Sequence, residues 1–176
     1  MKIYPLLIAC SLGFATYTFT PKAEAHNQFN EVKVSSNNEL NVNYRAIIKK
    51  SSKELRVDKT NKKALLTRAY ARGKMTNFKG ALKDLNTLIK MDSDFNDSAI
   101  FLRGWIHINL KNYSVAMDDY SRSIENNVFL KTSYSNRGFI KDILRVQKGA
   151  CSDWEKGGKL GNEKASSAFK NHCEYI

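Results

Sequence analysis

The sequence predicts an all-α chain, an α-solenoid of stacked antiparallel helix hairpins with a capping helix at each end. Three observations predict it. Residue pairs recur 34 positions apart: Arg103-Gly104 returns as Arg137-Gly138, Ala116 as Ala150, and Asp119-Tyr120 as Asp153-Trp154. A copy 35 residues earlier holds Arg68-Ala69, Ala81 and Asp84-Leu85. Each copy also contains two amphipathic stretches around a short polar turn, TNFKG at 76–80, LKNYS at 110–114 and RVQKG at 145–149, and helices joined so tightly fold back antiparallel. Finally, Ala69, Gly104 and Gly138 on the first helices and Ala81, Ala116 and Ala150 on the second lie where two axes must approach closely, with Leu85, Tyr120 and Trp154 filling the space beside them.

Taken in chain order, the elements begin with an export signal. Lys2 is followed by the apolar run IYPLLIACSLGFA and then AEA at 23–25, the pattern of a secretory signal peptide cleaved after Ala25. Pro5, Thr16, Thr18 and Thr20 break the run too often for a convincing membrane span, so export (periplasmic, lumenal or secreted) is favoured over a retained anchor. LIAC at 7–10 resembles a lipoprotein signal, but cutting there would keep the apolar SLGFATYTF, so that route is disfavoured as well. Residues 26–42 are polar and asparagine-rich and read as a flexible lead. Within 43–61, Tyr44, Ile47, Ile48 and Leu55 make one apolar stripe on an N-terminal capping helix. The three repeats follow at 62–96, 97–130 and 131–161, and residues 162–176 supply the C-terminal cap.

That cap carries its own prediction. Asn162 is placed to cap a helix over 163–173 whose inner face holds Ala165, Ala168, Phe169 and Cys173. Cys151 lies eleven residues before Asn162 and Cys173 eleven after it, so two antiparallel helices hinged there bring the sulfurs opposite each other. A Cys151–Cys173 disulfide is expected, closing a loop of 22 residues in an oxidising compartment.

The formal charge is +12, or +11 once Lys2, Lys22 and Glu24 leave with the signal. A basic surface favours anionic partners, but lysines spread along the whole chain read first as a solvated surface. Arg68, Arg103 and Arg137 against Asp84, Asp119 and Asp153 repeat with the unit and therefore read as structural clasps rather than catalytic pairs, each worth about 0.5–1 kcal/mol. DSDFND at 92–97 lacks the glycine of a calcium loop and has Arg103 where its glutamate belongs; it reads as an inter-repeat turn in which Asn96 or Asp97 caps the next helix. His26, His107 and His172 have no metal-ligand spacing, and there is no phosphate loop, dinucleotide fingerprint or nucleophile elbow. No metal, cofactor or catalytic residue is expected.

The 34-residue pattern resembles the tetratricopeptide repeat family, whose small residues fall at the eighth and twentieth positions and an aromatic at the twenty-fourth. The resemblance spans 62–161. It departs where Ser93 and Val128 replace the proline that ends second helices, where position eleven is Arg72, His107 and Lys141 instead of an aromatic, and where Gly157-Gly158 interrupt and weaken the third repeat. KGGKLGNEKA near the end resembles the linker of the related Sel-like repeats. The resemblance implies partner binding on the concave surface lined by first helices. The corresponding positions are Lys63, Leu66, Tyr70 and Lys74; Phe101, Trp105, Ile108 and Asn109; and Ser135, Phe139 and Ile143. Such a groove suits an extended or helical peptide with apolar and acidic side chains, although Phe101 and Trp105 have the alternative of packing against neighbouring helices. The expectation is a non-enzymatic interaction module, in the cell envelope or secreted. The alternative is an anionic polymer, nucleic acid or envelope polysaccharide, held by the lysine-rich surface, with nucleic acid disfavoured, and a small hydrolase or redox enzyme lacks any convergent titratable set.

Overall fold

The computed structural model describes residues 42–173; the segments read as signal and lead up to residue 41, and the last three residues of the C-terminal cap, lie outside the described residues. Among the described residues the chain forms eight α-helices and no strand: α1 Tyr44–Val57, α2 Lys62–Lys74, α3 Phe78–Lys90, α4 Asn96–Asn109, α5 Tyr113–Glu125, α6 Leu130–Ile143, α7 Gln147–Lys159 and α8 Glu163–Cys173. Asparagine starts many of them. The side-chain oxygens of Asn43, Asn61, Asn77 and Asn162 accept from the backbone N–H of Ala46, Ala64, Gly80 and Ala165 at 2.9–3.0 Å. Each such cap satisfies a donor that the first helical turn leaves orphaned, typically worth about 1 kcal/mol.

The helices pair as α2–α3, α4–α5 and α6–α7, each packing mainly on its neighbours in sequence, with α1 and α8 closing the two ends. The core is correspondingly segmental. Leu55, Leu65, Leu66, Leu85, Leu88 and Ile106 belong to one cluster, Phe101, Ala116, Tyr120 and Ile140 to a second, and Ala150, Trp154, Ala165 and Cys173 to a third. Close approach is needed within the hairpins: a Cβ on Gly104 would lie 3.2 Å from the Tyr120 ring, and one on Gly138 would lie 2.6 Å from the Trp154 ring. None of the described helices is long and apolar enough to cross a membrane.

Two expectations are corrected. Neither Asn96 nor Asp97 caps α4, because the helix already begins at Asn96. The Asp97 carboxylate instead accepts from the Asn126 amide at 2.7 Å, and the Asn96 amide donates to Asp92 at 3.1 Å. Nor do Gly157 and Gly158 interrupt the third hairpin, since α7 runs unbroken through both. They are the floor on which α8 sits: a Cβ on Gly157 would meet the Ala165 methyl at 3.1 Å, and one on Gly158 would meet the Ser166 hydroxyl at 2.8 Å. A disulfide between Cys151 and Cys173, with Cα atoms 5.7 Å apart, joins α7 to α8.

Candidate binding groove

The first helices α2, α4 and α6 carry equivalent residues at each repeat, so the surface they share can be assembled position by position. Tyr70, Trp105 and Phe139 occupy one rung. Tyr70 and Trp105 are half-buried, and Phe139 is 48 % exposed. One turn later stand Lys74, Asn109 and Ile143, and one turn earlier stand Leu66, Phe101 and Ser135. The earlier rung departs from the groove assignment. Leu66 is buried in the first cluster, and Phe101 is buried with its ring 5.7 Å from Tyr120 and 4.5 Å from Phe129. Both share the face of the rung but lie about 40° round the helix from it, at the edge that the neighbouring helices cover, so they belong to packing.

Trp105 leans back over α2. A Cβ on Gly73 would lie 2.5 Å from its ring, so that glycine makes the seat in which the indole lies. In the sequence the only sign of this role is a glycine inside a helix with no turn to explain it. Asn109 donates its side-chain amide to the Trp105 carbonyl at 2.8 Å, which fixes it against its own helix. Tyr70 meets Tyr44 of α1 edge-on at 6.3 Å and holds the Lys74 ammonium 5.7 Å from its ring centre. Beside it a cavity of about 460 Å³ between α1 and α2 is lined by Ile47, Lys50, Glu54, Lys63, Thr67 and Tyr70. At the other end the surface becomes apolar and open: Ile143 is 38 % and Val146 52 % exposed, next to Phe139 and Leu144.

Away from this face lie the charge clasps. Arg68, Arg103 and Arg137 each grip an aspartate with two nitrogens, on Asp84, Asp119 and Asp153, at 2.6–2.9 Å. A third nitrogen of each arginine donates to the preceding second-helix layer, on Ser52, Asn86 and Ser121. The unexpected position eleven now has a use: Arg72 adds a contact to Asp84 at 2.6 Å, and Lys141 one to Asp153 at 2.8 Å. Burial pushes the Asp153 carboxyl up, yet Arg137 and Lys141 together hold it below its ordinary value. The bond to Asp119 raises Arg103, and that to Asp153 raises Arg137. His107 is the middle repeat's counterpart. Burial lowers its pKa, Asp119 opposes that, and Arg103 reinforces it. All three carboxylates are buried and paired, and among the described residues no cluster of three or more His, Cys, Asp or Glu is arranged to hold a metal.

No protein-family model matches the chain, and no curated protein matches it. Solved structures do. A crystal structure of MamA protein superposes with a TM-score of 0.64 at 18 % identity, over 88 % of this chain and 81 % of that one. MamA from residue 41 to the end, from Desulfovibrio magneticus RS-1, gives 0.67 at 12 % identity over 86 % and 83 %. The first tetratricopeptide domain of Spaghetti (RPAP3), bound to the HSP90 peptide SRMEEVD, gives 0.59 at 20 % identity over 67 % and 94 %. With its three hairpins, spacing and helix order, this chain has the fold of a tetratricopeptide-like helical repeat protein.

Proposed function

We propose that the protein is a non-enzymatic scaffold that holds a peptide or protein partner along the face of α2, α4 and α6, as an exported component of the cell envelope or a secreted one. The observation that carries it is the aromatic rung Tyr70, Trp105 and Phe139, which continues into the exposed Ile143 and Val146. Contiguous exposed apolar patches, unlike scattered apolar residues, mark interaction surfaces, and aromatic anchors with cations at their edge match a segment bearing apolar and acidic residues. Lys63 and Lys74 supply the cations at the N-terminal end of the same face. The structure of Spaghetti with its peptide shows that a chain of this fold can hold such a segment. The Cys151–Cys173 disulfide supports a place outside the reducing cytosol.

Peptide display against the purified protein tests this. Enriched sequences should combine apolar or aromatic residues with Asp or Glu. A Phe139→Ala, Ile143→Ala variant should lose about tenfold or more in affinity for them with its melting unchanged, because both side chains are substantially exposed. Binding that collapses with added salt and ignores this variant would instead favour an anionic polymer.

A further inference from the structure

On the far side of α2 from Tyr70, a cavity of about 420 Å³ opens between α1, α2 and α3. Residues 68 and 70 of one helix point about 200° apart, so this cleft is separate from the groove. The buried Leu55 and Leu65 floor it, while exposed Arg56, Lys59 and Lys83 and the clasp residue Arg68 line it. Asp84 is the one carboxylate among the lining residues, and it is already engaged by the Arg68 fork at 2.8 and 2.9 Å and by Arg72 at 2.6 Å. Two guanidiniums more than neutralise it. Arg56, Lys59 and Lys83 therefore face the cleft with no acid to balance them among its lining residues.

The repeat provides an internal comparison. The three clasp arginines donate to Ser52, Asn86 and Ser121, which sets α1, α3 and α5 in register. In that register Arg56 corresponds to Lys90 and Glu125, and Lys83 corresponds to Asp118 and Ser152. At the corresponding positions the second repeat thus has Asp118 together with Lys90 and Arg122, and the third has Glu125 together with Lys156. The first alone concentrates cations without a balancing acid.

We propose that this cleft binds a phosphate-type oxyanion with at least two negative charges, such as a phosphomonoester or a diphosphate. Positive side chains around an apolar floor focus the field where water is partly displaced. Arg56 offers planar paired donors suited to phosphate oxygens. The Ser52 oxygen accepts from Arg68 at 3.3 Å, which leaves its own hydroxyl proton to donate to a bound anion.

Titration calorimetry with pyrophosphate, and flotation with phosphatidylcholine vesicles containing phosphatidic acid, test the site. Lys83→Asp and Lys59→Ser are the variants, since the second repeat carries Asp118 and Ser93 at those places and folds with them. Pyrophosphate should bind one per chain, weaken as salt rises, and lose about tenfold in Lys83→Asp. Phe139→Ala should bind it unchanged, so that failure of the groove and failure of this site are distinguishable. Pyrophosphate binding that both variants weaken supports a free phosphate ligand, and vesicles captured by the unaltered protein but by neither variant assign a lipid headgroup as the source. Absence of both interactions, or binding that neither variant weakens, overturns the proposal.

Discussion

The middle hairpin sets a single arginine and a histidine against its aspartate, where each flanking hairpin has two permanent cations. Because burial and Arg103 depress the His107 pKa below its ordinary 6.5, the unfolded chain takes up that proton first as pH falls. Stability conferred by the neutral imidazole is therefore present above about pH 6.5 and is lost as pH drops through the lower folded value. His107→Arg, which copies the first repeat's Arg72, should raise stability near neutrality by about 0.5 kcal/mol and remove this part of the pH dependence, as melting scans at pH 7.5 and 5.5 will show. The glycines of the first helices make a second prediction at this scale. Gly138→Ala should destabilise by about 1–3 kcal/mol, and by more than Gly104→Ala, since a methyl 2.6 Å from the buried indole forces a shift whereas one 3.2 Å from Tyr120 needs only a few tenths of an ångström. Denaturant midpoints of the two variants compare them directly. The role of these glycines was legible in the sequence because it repeats. That of Arg72 and Lys141 was not, since their departure from the usual aromatic becomes intelligible only when the aspartate they reach is seen.

Within each hairpin the two helices are joined by the same turn. Thr76, Lys111 and Arg145 take left-handed backbone at φ 58–62°, and the N–H groups of Asn77, Asn112 and Val146 reach back to the carbonyls of Arg72, His107 and Lys141 at 2.8–2.9 Å. This Schellman closure satisfies the last carbonyls of α2, α4 and α6 and fixes the angle at which each second helix departs. A β-branched residue is the least suited to that conformation, so Thr76→Gly should stabilise the chain by about 1 kcal/mol in chemical denaturation. Turn composition betrayed where each hairpin folds back, and Asn162 was readable as a cap. The start of α4 is misread from sequence because two polar residues in DSDFND look like caps, whereas Asp97 receives the Asn126 amide at the end of α5 and Asn96 reaches back to Asp92 in its own turn. Leu66 and Phe101 were assigned to the groove for a related reason: pattern positions name a face of the helix, and only packing decides which edge of that face a neighbour covers.

Among the described residues, contacts between helices run almost entirely between neighbours along the chain, so cohesion is distributed as in a one-dimensional array rather than gathered in one centre. At the C-terminal end the tie between neighbours is also covalent, because the disulfide joins α7 to α8 across 22 residues of sequence. Reduction should cost about 3 kcal/mol on the chain-entropy model. Amide hydrogen exchange should show the loss concentrated in α7 and α8, with protection in α2 and α3 kept. The repeat period, the all-helical class and the order of the hairpins were visible in the sequence because each copy restates the same spacing. The cleft of Arg56, Lys59 and Lys83 was not, since it joins residues from three helices whose register emerges only when the layers are stacked.

That crosslink also governs how the molecule answers mechanical load. Pulled from its two termini, the pile would pay out hairpin by hairpin until tension met the sulfur bond, which bypasses residues 152–172 and withholds about 70 Å of extensible length from the applied force. A tethered chain of this kind would have two maximum lengths, one for oxidising surroundings and a longer one once a reductant had opened the loop.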